Sequence, residues 1–417
     1  MNTTEEFAKR FFSTRIGGGS FGDDKRVYKF EKIKRAKRRI SEKFPNLVLV
    51  DMGVGEPDGM AVEATIEALA SEARKYENRG YADNGCGEFK DAAAAYMRAQ
   101  FGVSMVPQTE IVHSIGSKAA LSILPYCFVD PGDVVLTTAP GYQVFATHAK
   151  YLLADVVSLP LRAKGDFLPD LTELPAQILK RTKVVVVNYP NNPTGACATR
   201  EFFSKLVELA HENSFLIVND AAYSALTFRA EDRLSIFNVD GAMDVALELH
   251  SMSKGFNMSG WRIGWVCGNE SLVGAYAHVK DQSDSGQFLA IQKAAAQTLN
   301  NLFIPANNAR KYCERMEQVA IILQNCGFDV EPAKAGFFMY ARSPVSIEYS
   351  DQRISFQSAE NFAEWLIENL GIVVVPWDDV EPSLRFSMTF AGTGIDESEI
   401  IDIFRDRMSN VRFKFRG

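Results

Sequence analysis

One lysine of this 417-residue chain lies in a sequence context that could make its amine reactive. Lys254 occurs in the stretch SMSKGFNMSGWRIGW, where small residues flank it and Arg262 follows eight positions later. A lysine amine is a good nucleophile at neutral pH only when its pKa is depressed, and burial beside another cation has that effect. Most lysines are surface charges, so the rest of the sequence pattern must decide whether Lys254 is a nucleophile or a surface residue.

Four short apolar runs are each followed by polar or turn-forming residues. The runs are DVVLTT (133–138), KVVVVN (183–188), FLIVND (215–220) and DVALELHS (244–251). Their ends carry APGY, NYPNNPTG, Asp220 with Tyr223, and Ser251 with Lys254. In open parallel sheets, ligands bind beyond the carboxyl ends of the strands. The pattern therefore predicts that these polar residues gather around a ligand at one edge of a sheet.

The elements that would position these residues follow from the same runs. Each run is apolar at successive positions, which is typical of strands covered by helices on both faces. Longer helical segments alternate with the runs, as in parallel strands joined by crossover helices, so a doubly wound α/β sheet is predicted. After about residue 300, an amphipathic helix over 307–326 precedes GFDVEP, GFFMYAR, IVVVPW and LRFSMTF, which favours a smaller α+β lobe.

Several of the polar residues occur in motifs of a known family. The pattern S-x-S-K-x-x-x-x-x-G-x-R-x-G is found at Ser251, Ser253, Lys254, Gly260, Arg262 and Gly264. The same order is kept by N-P-T-G at 192–195, by an Asp-x-x-Tyr pair at Asp220 and Tyr223, and by Arg385 in an R-F-S context. From about residue 50 to residue 390, the chain resembles the class I/II pyridoxal-phosphate-dependent aminotransferases.

This resemblance implies a fold and an assembly. The expected architecture is aspartate-aminotransferase-like, or PLP fold type I: a large domain with a mostly parallel seven-stranded sheet, and a smaller α+β domain. The expected divisions are an N-terminal arm and helix over 1–45, a large cofactor-binding domain over 46–300 and a small C-terminal domain over 301–417, joined by part of the N-terminal segment. A homodimer with shared active sites is also implied.

The resemblance assigns roles around the ring of pyridoxal 5'-phosphate. It implies that Lys254 holds the cofactor as a Schiff base and acts as the catalytic acid and base. Asp220 would keep the pyridine nitrogen protonated, and Asn192 and Tyr223 would donate to the phenolate oxygen. Tyr142 would stack on the ring. The alternatives are a helix cap or turn residue for Asp220 and ordinary packing for Tyr142.

Other residues match the family's phosphate and substrate ligands. Gly116, Ser117 and Lys118 resemble a helix start whose N–H groups bind the phosphate. By resemblance, Ser251 and Arg262 add side-chain donors, and Tyr81 reaches the phosphate from the second subunit.

The substrate, an amino acid or a 2-oxo acid, is expected to contact Arg385, Gly55 and Asn192. Arg385 would bind the α-carboxylate bidentately, unless it is a half-buried salt-bridge partner.

A narrower resemblance concerns the substrate. The stretch RFFSTRIGGGSFGDDKRVYKFEKIKRAKRR, GVGEPD and GYADNGCGEF are similar to LL-diaminopimelate aminotransferases, which use 2-oxoglutarate in lysine biosynthesis. Better-known members carry Glu three residues after the active-site tyrosine, whereas Asp83 and Asn84 follow Tyr81 here. The alternatives are an aspartate, alanine or aromatic aminotransferase, a PLP lyase or decarboxylase, a non-catalytic regulator on this fold, and a nucleotide-binding module.

Composition narrows the possible partners and the location. The 52 acidic and 45 basic residues leave a net charge of −7, which argues against nucleic acid or membrane as a partner. Six cysteines without C-x-x-C and five histidines without H-E-x-x-H predict neither a disulfide framework nor a metal site. The first residues lack the features of a signal peptide, so a cytoplasmic location is predicted.

The first 40 residues are predicted to be a polar arm. Gly17, Gly19 and Gly22 match G-x-G-x-x-G, but a dinucleotide fingerprint must follow a buried strand. The basic run from Lys25 and Arg26 to Arg39 is predicted to be a solvated helix face.

Overall fold

The computed structural model describes residues 7–21, 29–390 and 395–416. Gly22, Lys25 and Arg26 of the predicted arm lie outside the described residues. The glycine-rich segment forms single 3-10 turns at Thr14–Ile16 and Gly18–Ser20, and within 7–21 no strand precedes them. In the basic helix the face with Lys34, Arg35, Arg38 and Arg39 is exposed, as predicted, whereas Ala36 and Ile40 are buried.

The described ranges contain fifteen strands. They are β1 (Val50–Asp51), β2 (Ile111–Ser114), β3 (Val134–Ala139), β4 (Asp155–Pro160), β5 (Thr182–Val187), β6 (Leu216–Asp220), β7 (Ala246–Ser251), β8 (Gly264–Gly268), β9 (Phe338–Arg342), β10 (Ser346–Tyr349), β11 (Gln352–Ser355), β12 (Ile372–Val373), β13 (Val375–Trp377), β14 (Ser383–Ser387) and β15 (Arg412–Lys414).

Fifteen α-helices lie between and around these strands in the described ranges. They are α1 (Lys29–Lys43), α2 (Glu63–Ala73), α3 (Gly87–Phe101), α4 (Pro107–Glu110), α5 (Ser117–Phe128), α6 (Val144–Tyr151), α7 (Ala176–Leu179), α8 (Arg200–Asn213), α9 (Ala242–Val245), α10 (Met252–Gly255), α11 (Glu270–Asp281), α12 (Leu289–Leu299), α13 (Phe303–Asn325), α14 (Ala359–Trp365) and α15 (Glu397–Ser409). A π-helical turn, Leu366–Leu370, continues α14.

The largest sheet has seven strands in the order β2-β8-β7-β6-β5-β3-β4. The neighbours from β7 to β4 are parallel, whereas β8 runs antiparallel to both β2 and β7. The predicted mostly parallel seven-stranded sheet is therefore confirmed. The four apolar runs are β3, β5, β6 and β7, with ends within one or two residues of the prediction.

The burial of β5 shows why its sequence is apolar at every position. Val184 and Val186 pack into one core cluster, and Val185 and Val187 pack into a different one. Since successive side chains of a strand point to opposite faces, both faces of the sheet are covered. The strand ends can therefore hold polar residues in a largely dry environment.

The C-terminal part of the chain has its own core and two three-stranded sheets, ordered β13-β14-β9 and β11-β10-β15. The predicted helix over 307–326 corresponds to α13. GFDVEP forms no strand, since Gly327 leaves α13 with a φ of +86° and a loop follows. The pairing of β1 with β12, Val50 opposite Ile372, brings the segment after α1 into this part.

None of the helices in the described ranges combines the length and the apolar character needed to cross a lipid bilayer.

Candidate active site

The amine of Lys254 lies at the carboxyl edge of the large sheet, in α10 directly after β7. Its Nζ donates a hydrogen bond of 2.8 Å to the carbonyl of Gly55, and it lies 5.8 Å from the ring centroid of Tyr223. Burial lowers the pKa of Lys254 to about 8, and the charges of Arg385 and Arg262 act in the same direction. The amine is therefore uncharged more often at neutral pH than an ordinary lysine.

Asp220 and Asn192 are held together by an asparagine. Asp220 is the last residue of β6 and is 4% exposed. Burial raises its pKa to about 6, although the hydrogen bond from the Ala222 N–H and the charge of Lys254 both lower it. Asn188, directly after β5, donates 2.6 Å from Nδ2 to the carbonyl of Asp220 and accepts at 2.9 Å from the N–H of Asn192. Because β5 and β6 are parallel neighbours, both functional side chains lie at the same edge.

Arg385 approaches this edge from β14 of the C-terminal part. The side chain is 3% exposed. Its Nη1 donates 3.2 Å to Oδ1 of Asn192, its Nη2 donates 3.4 Å to the carbonyl of Gly53, and its guanidinium lies 4.0 Å from the ring centroid of Phe338. A Cβ at Gly55 would lie 3.7 Å from Nη2 of Arg385. Lys254 and Arg385 thus both bond the Gly53 to Gly55 backbone, and Arg385 links it to Asn192.

A second group of predicted residues meets at the start of α5. Gly116 precedes that helix with a φ of +74°, and a Cβ there would lie only 2.4 Å from Nη2 of Arg262. Arg262 also donates 3.4 Å to Oγ of Ser253, and the N–H of Ser253 donates 3.1 Å to Oγ of Ser251. A guanidinium, two hydroxyls and the N–H groups of a helix start therefore converge, which suits an anion. In the first turn Ser117 is half-buried and Lys118 is exposed.

The three predicted tyrosines differ in exposure. Tyr223 is buried, which raises its pKa, and Tyr142 is close enough to contribute to that rise. Tyr142 itself is 38% exposed, and Tyr81 is 85% exposed. Among the described residues, no hydrogen bond or ring contact joins Tyr81 to the other predicted site residues. A single chain thus assembles the predicted site without Tyr81.

An ion-pair network that the sequence reasoning missed holds the loop after Gly55. The buried carboxylate of Asp58 lies 2.8 Å from Nζ of Lys311 and 2.5 Å from Nη1 of Arg315, and Arg315 also bonds Glu397 at 2.6 Å. The four-residue spacing of the two cations on α13 is the signal that could have indicated it. The network fixes the Gly55 loop to the C-terminal part.

Asn188, Gly53 and Phe338 were also missed. Asn188 was visible as the first residue of NYPNNPTG, directly after an apolar run. The contact of Phe338 with Arg385 had no sequence signal, because 47 residues separate them along the chain (385 minus 338).

Comparison with known proteins decides the family. The family described as aminotransferase class I and II matches residues 48–400. This chain is a class I and II aminotransferase. It is 43% identical over 421 residues to the LL-diaminopimelate aminotransferase of Methanocaldococcus jannaschii, with 99% of this chain and 100% of the relative covered. It is 37% identical over 369 residues to the enzyme of the same name from Desulforudis audaxviator, with 86% and 90% covered.

Solved structures share this fold. The substrate-bound BacF structure from Bacillus subtilis superposes with a TM-score of 0.85 at 27% identity and covers 98% of this chain and 99% of its own. An aspartate aminotransferase mutant from Thermus thermophilus has a TM-score of 0.81 at 25% identity, covering 95% and 100%. The expected aspartate-aminotransferase-like architecture is confirmed. Aminotransferases of this family depend on pyridoxal phosphate.

The side chains present suit that cofactor. Asp220 is a buried carboxyl with a raised pKa, so a cation such as a protonated ring nitrogen would stabilise its ionised form. The space beside Arg262 would be filled by any Cβ at Gly116, and guanidinium and helix N–H groups are good phosphate donors. Lys254 has the lowered pKa that a nucleophile toward an aldehyde requires.

The lowered pKa of Lys254 leads to a testable pH dependence in the cofactor-free protein. Burial and neighbouring cations disfavour the ammonium form, so the free amine appears at lower pH than in an ordinary lysine. We expect the rate of acetylation of Lys254 by acetic anhydride, measured by peptide mass spectrometry, to rise tenfold per pH unit below about pH 8 and to level off above it. The control is N-acetyl-lysine amide, whose rate should rise up to about pH 10. A Lys254 rate that still climbs tenfold per unit above pH 9 contradicts the assignment.

Proposed function

We propose that this chain is a pyridoxal-phosphate-dependent LL-diaminopimelate aminotransferase that transfers the amino group to 2-oxoglutarate in cytoplasmic lysine biosynthesis. The observation that carries the catalytic part is the convergence of the Lys254 amine with Asp220, Asn192 and Arg385 at one sheet edge. The substrate part is supported by the relatives of that name at 37–43% identity, which match nearly full length.

Lys254 performs the central chemistry in this proposal. Its amine would hold the cofactor aldehyde covalently and, once freed by the substrate amine, would act as the acid and base for the proton at the substrate Cα. When bound, the cofactor supplies an electron-withdrawing ring that stabilises negative charge at the substrate Cα. The carbonyl of Gly55 accepts a hydrogen bond of 2.8 Å from Nζ and so orients the amine when it is free.

Asp220, Asn192 and Tyr223 set the charge of the ring. Asp220 in its ionised form would keep the ring nitrogen protonated. Asn192 and Tyr223 would donate hydrogen bonds to the phenolate oxygen; the buried hydroxyl of Tyr223 stays protonated because its pKa is raised. Tyr142 would stack on the ring.

The phosphate would be held by donors from three segments. Arg262 and Ser251 would donate from the side chain, and Gly116, Ser117 and Lys118 would contribute the first turn of α5. Tyr81 of the partner subunit of a homodimer would complete the set. Its 85% exposure in the single chain is compatible with burial against a second copy.

Arg385 binds the substrate α-carboxylate, and the Gly55 backbone and Asn192 line the same space. The Arg385 side chain is already oriented by Asn192, Gly53 and the Phe338 ring, so it loses little conformational entropy when substrate binds. A planar guanidinium binds a carboxylate through two parallel hydrogen bonds.

Two experiments test the proposal. Borohydride reduction of the purified holoprotein, followed by peptide mapping, should place a pyridoxyl label on Lys254; a label elsewhere, or no label, contradicts the catalytic part. Steady-state rates with LL-diaminopimelate, aspartate, alanine and aromatic amino acids, measured as glutamate formed from 2-oxoglutarate, test the substrate. If diaminopimelate is the poorest donor, the substrate assignment is wrong. If the amino acid is consumed without glutamate, a lyase reaction is indicated instead.

Arg385→Lys is expected to lower kcat/KM for the amino donor by about 100-fold, because lysine keeps the charge but cannot form two parallel hydrogen bonds to a carboxylate. The labelling of Lys254 by cofactor should be unchanged. The matched control is Arg342→Lys, which changes an exposed arginine on the adjacent strand β9 and should stay within about twofold. Unchanged kcat/KM in Arg385→Lys would rule out bidentate carboxylate binding by this residue.

A further inference from the structure

A network of side-chain amides, centred on Gln287, connects two parts of the proposed phosphate site. The Nε2 of Gln287 donates 2.8 Å to the carbonyl of Trp261 and 2.8 Å to the carbonyl of Arg262. Its Oε1 lies 2.9 Å from Nε2 of His113 on β2. One glutamine thus joins the backbone of Arg262, just before β8, to His113 on β2, the strand that pairs with β8.

The direction of the bond to His113 follows from the rest of the network. Burial lowers the pKa of His113 to about 4, so the ring is neutral and carries one N–H. The amide nitrogen of Gln287 faces the two carbonyls, so its oxygen faces His113 and must accept. The proton of His113 therefore lies on Nε2, and every polar group of the Gln287 amide is used.

The other side of the network holds the loop after Tyr81. The backbone N–H of His113 donates 3.2 Å to the carbonyl of Asn84. Gln292, which is fully buried, donates 2.8 Å to the carbonyl of Gln287 and accepts at 2.9 Å from the N–H of Cys86. Gly85, between these two anchors, has no room for a side chain, because a Cβ there would lie 2.6 Å from Cβ of His113.

A buried lysine supports the same loop. Lys280 on α11 donates 3.0 Å to the carbonyl of Asp83 and 2.7 Å to Oδ1 of Asp284, whose Oδ1 also accepts from the N–H of Gly286. The loop over 83–86 is therefore bound to the segment over 280–292 through the carbonyl of Asp83 and the N–H of Cys86, and to β2 through the carbonyl of Asn84. Tyr81, just before the loop, is exposed.

The Arg262 end of the network is a strained backbone. Arg262 has a left-handed conformation, with φ of 56° and ψ of 56°, which a residue with a side chain adopts only when its surroundings impose it. The Gln287 amide bonds the carbonyls of Trp261 and Arg262, which belong to the peptide units before and after the Cα of Arg262. The guanidinium itself donates 2.7 Å to the carbonyl of Ser259, so the Gln287 amide fixes the backbone from which the Arg262 side chain extends.

We propose that Gln287 is a positioning residue for phosphate binding, which holds both Arg262 of its own site and the loop that carries Tyr81. The inference rests on the proposed function, since it needs Arg262 and Tyr81 as phosphate ligands. Because Tyr81 serves the partner subunit in that proposal, one glutamine supports donors of two active sites.

The test is Gln287→Met, which keeps the length and removes the amide. We expect the dissociation constant of pyridoxal phosphate, measured by equilibrium dialysis of the holoenzyme, to rise about 10-fold or more, as for other residues that orient ligand side chains. Amide hydrogen exchange over residues 82–86 should accelerate in the same holoenzyme. The control, Gln282→Met, changes an exposed glutamine five residues earlier and should alter neither quantity.

Cofactor binding within twofold of the parent would overturn the proposal. Weaker binding with unchanged exchange over 82–86 would also overturn it, because Gln287 would then act on Arg262 alone. If Gln287→Met fails to fold, Gln287→Glu, which keeps an acceptor oxygen facing His113 but replaces the N–H donors by a second acceptor, is judged by the same two measurements. Borohydride labelling of Lys254 in the parent protein stands apart: its failure removes the proposed function, whereas a labelled parent with an unaffected Gln287 variant removes only this inference.

Discussion

Lys254→Ala is expected to abolish transamination, with kcat lowered by at least about 10⁴-fold, because the variant loses both the covalent attachment and the proton transfer. The fold should persist. Lys254 is half-buried and its amine is desolvated, so alanine removes an unfavourably placed charge along with one hydrogen bond to Gly55. The measurements are the rate of glutamate formation and the thermal unfolding midpoint, compared in the same buffer.

Two comparisons make this result specific to Lys254. Lys205→Ala changes an exposed lysine on α8 and should leave the rate unchanged. Added methylamine or ethylamine should restore part of the rate of Lys254→Ala, since a small amine can accept the Cα proton in the vacated space. A Lys254→Ala protein that retains more than about 1% of the parent rate would show that another base performs the step.

Asp220→Asn is expected to lower kcat by about 10³-fold, since a preorganised charge at a buried site typically contributes 10²- to 10³-fold or more. The substitution keeps the size of the side chain but removes the charge that would hold the ring nitrogen protonated. Asp220 carries its charge in a buried setting, where burial has raised its pKa to about 6, so a cationic partner would interact strongly with it. The loss should appear in kcat, with the pyridoxyl label on Lys254 retained.

The control for this variant is Asp244→Asn, an exposed aspartate just before β7, which should retain full activity. Cofactors with altered ring basicity offer a second check. N-methylated pyridoxal phosphate has a permanent positive charge on the ring, so it should recover part of the lost rate in Asp220→Asn. An Asp220→Asn enzyme within tenfold of the parent would contradict the assigned role.

The arrangement of these residues explains why the site needs both parts of the chain. Lys254, Asp220 and Asn188 lie on adjacent strand ends of the large sheet, whereas Arg385 and Phe338 come from a separate sheet. The Asp58 ion pairs with Lys311 and Arg315 hold the Gly55 backbone where the two parts meet. Removing one partner of a buried ion pair leaves an uncompensated charge and strongly destabilises the fold. Substitution of Asp58 or Arg315 should therefore be poorly tolerated.

What the amino-acid sequence determined by itself was the framework. Apolar residues at successive positions in β5 predicted a sheet covered on both faces, and the polar residues after β5, β6 and β7 predicted the functional edge. Lys254, Asp220 and Asn192 were identified because their motifs resemble those of the family, and each motif lies at a strand end where ligands bind in parallel sheets. The apolar pattern of a strand is a property of one short segment, and a short segment can be interpreted alone.

Only the tertiary structure decided which distant residues meet. The sequence indicated Arg262 as the cation near Lys254, and the structure adds Arg385, which lies 131 positions later (385 minus 254) and is brought in by a different sheet. The Gln287 network and the Asp58 ion pairs join segments that no periodicity relates. Burial, and with it the pKa of about 8 at Lys254, depends on everything packed around a group, and that sum exists only once the chain has folded.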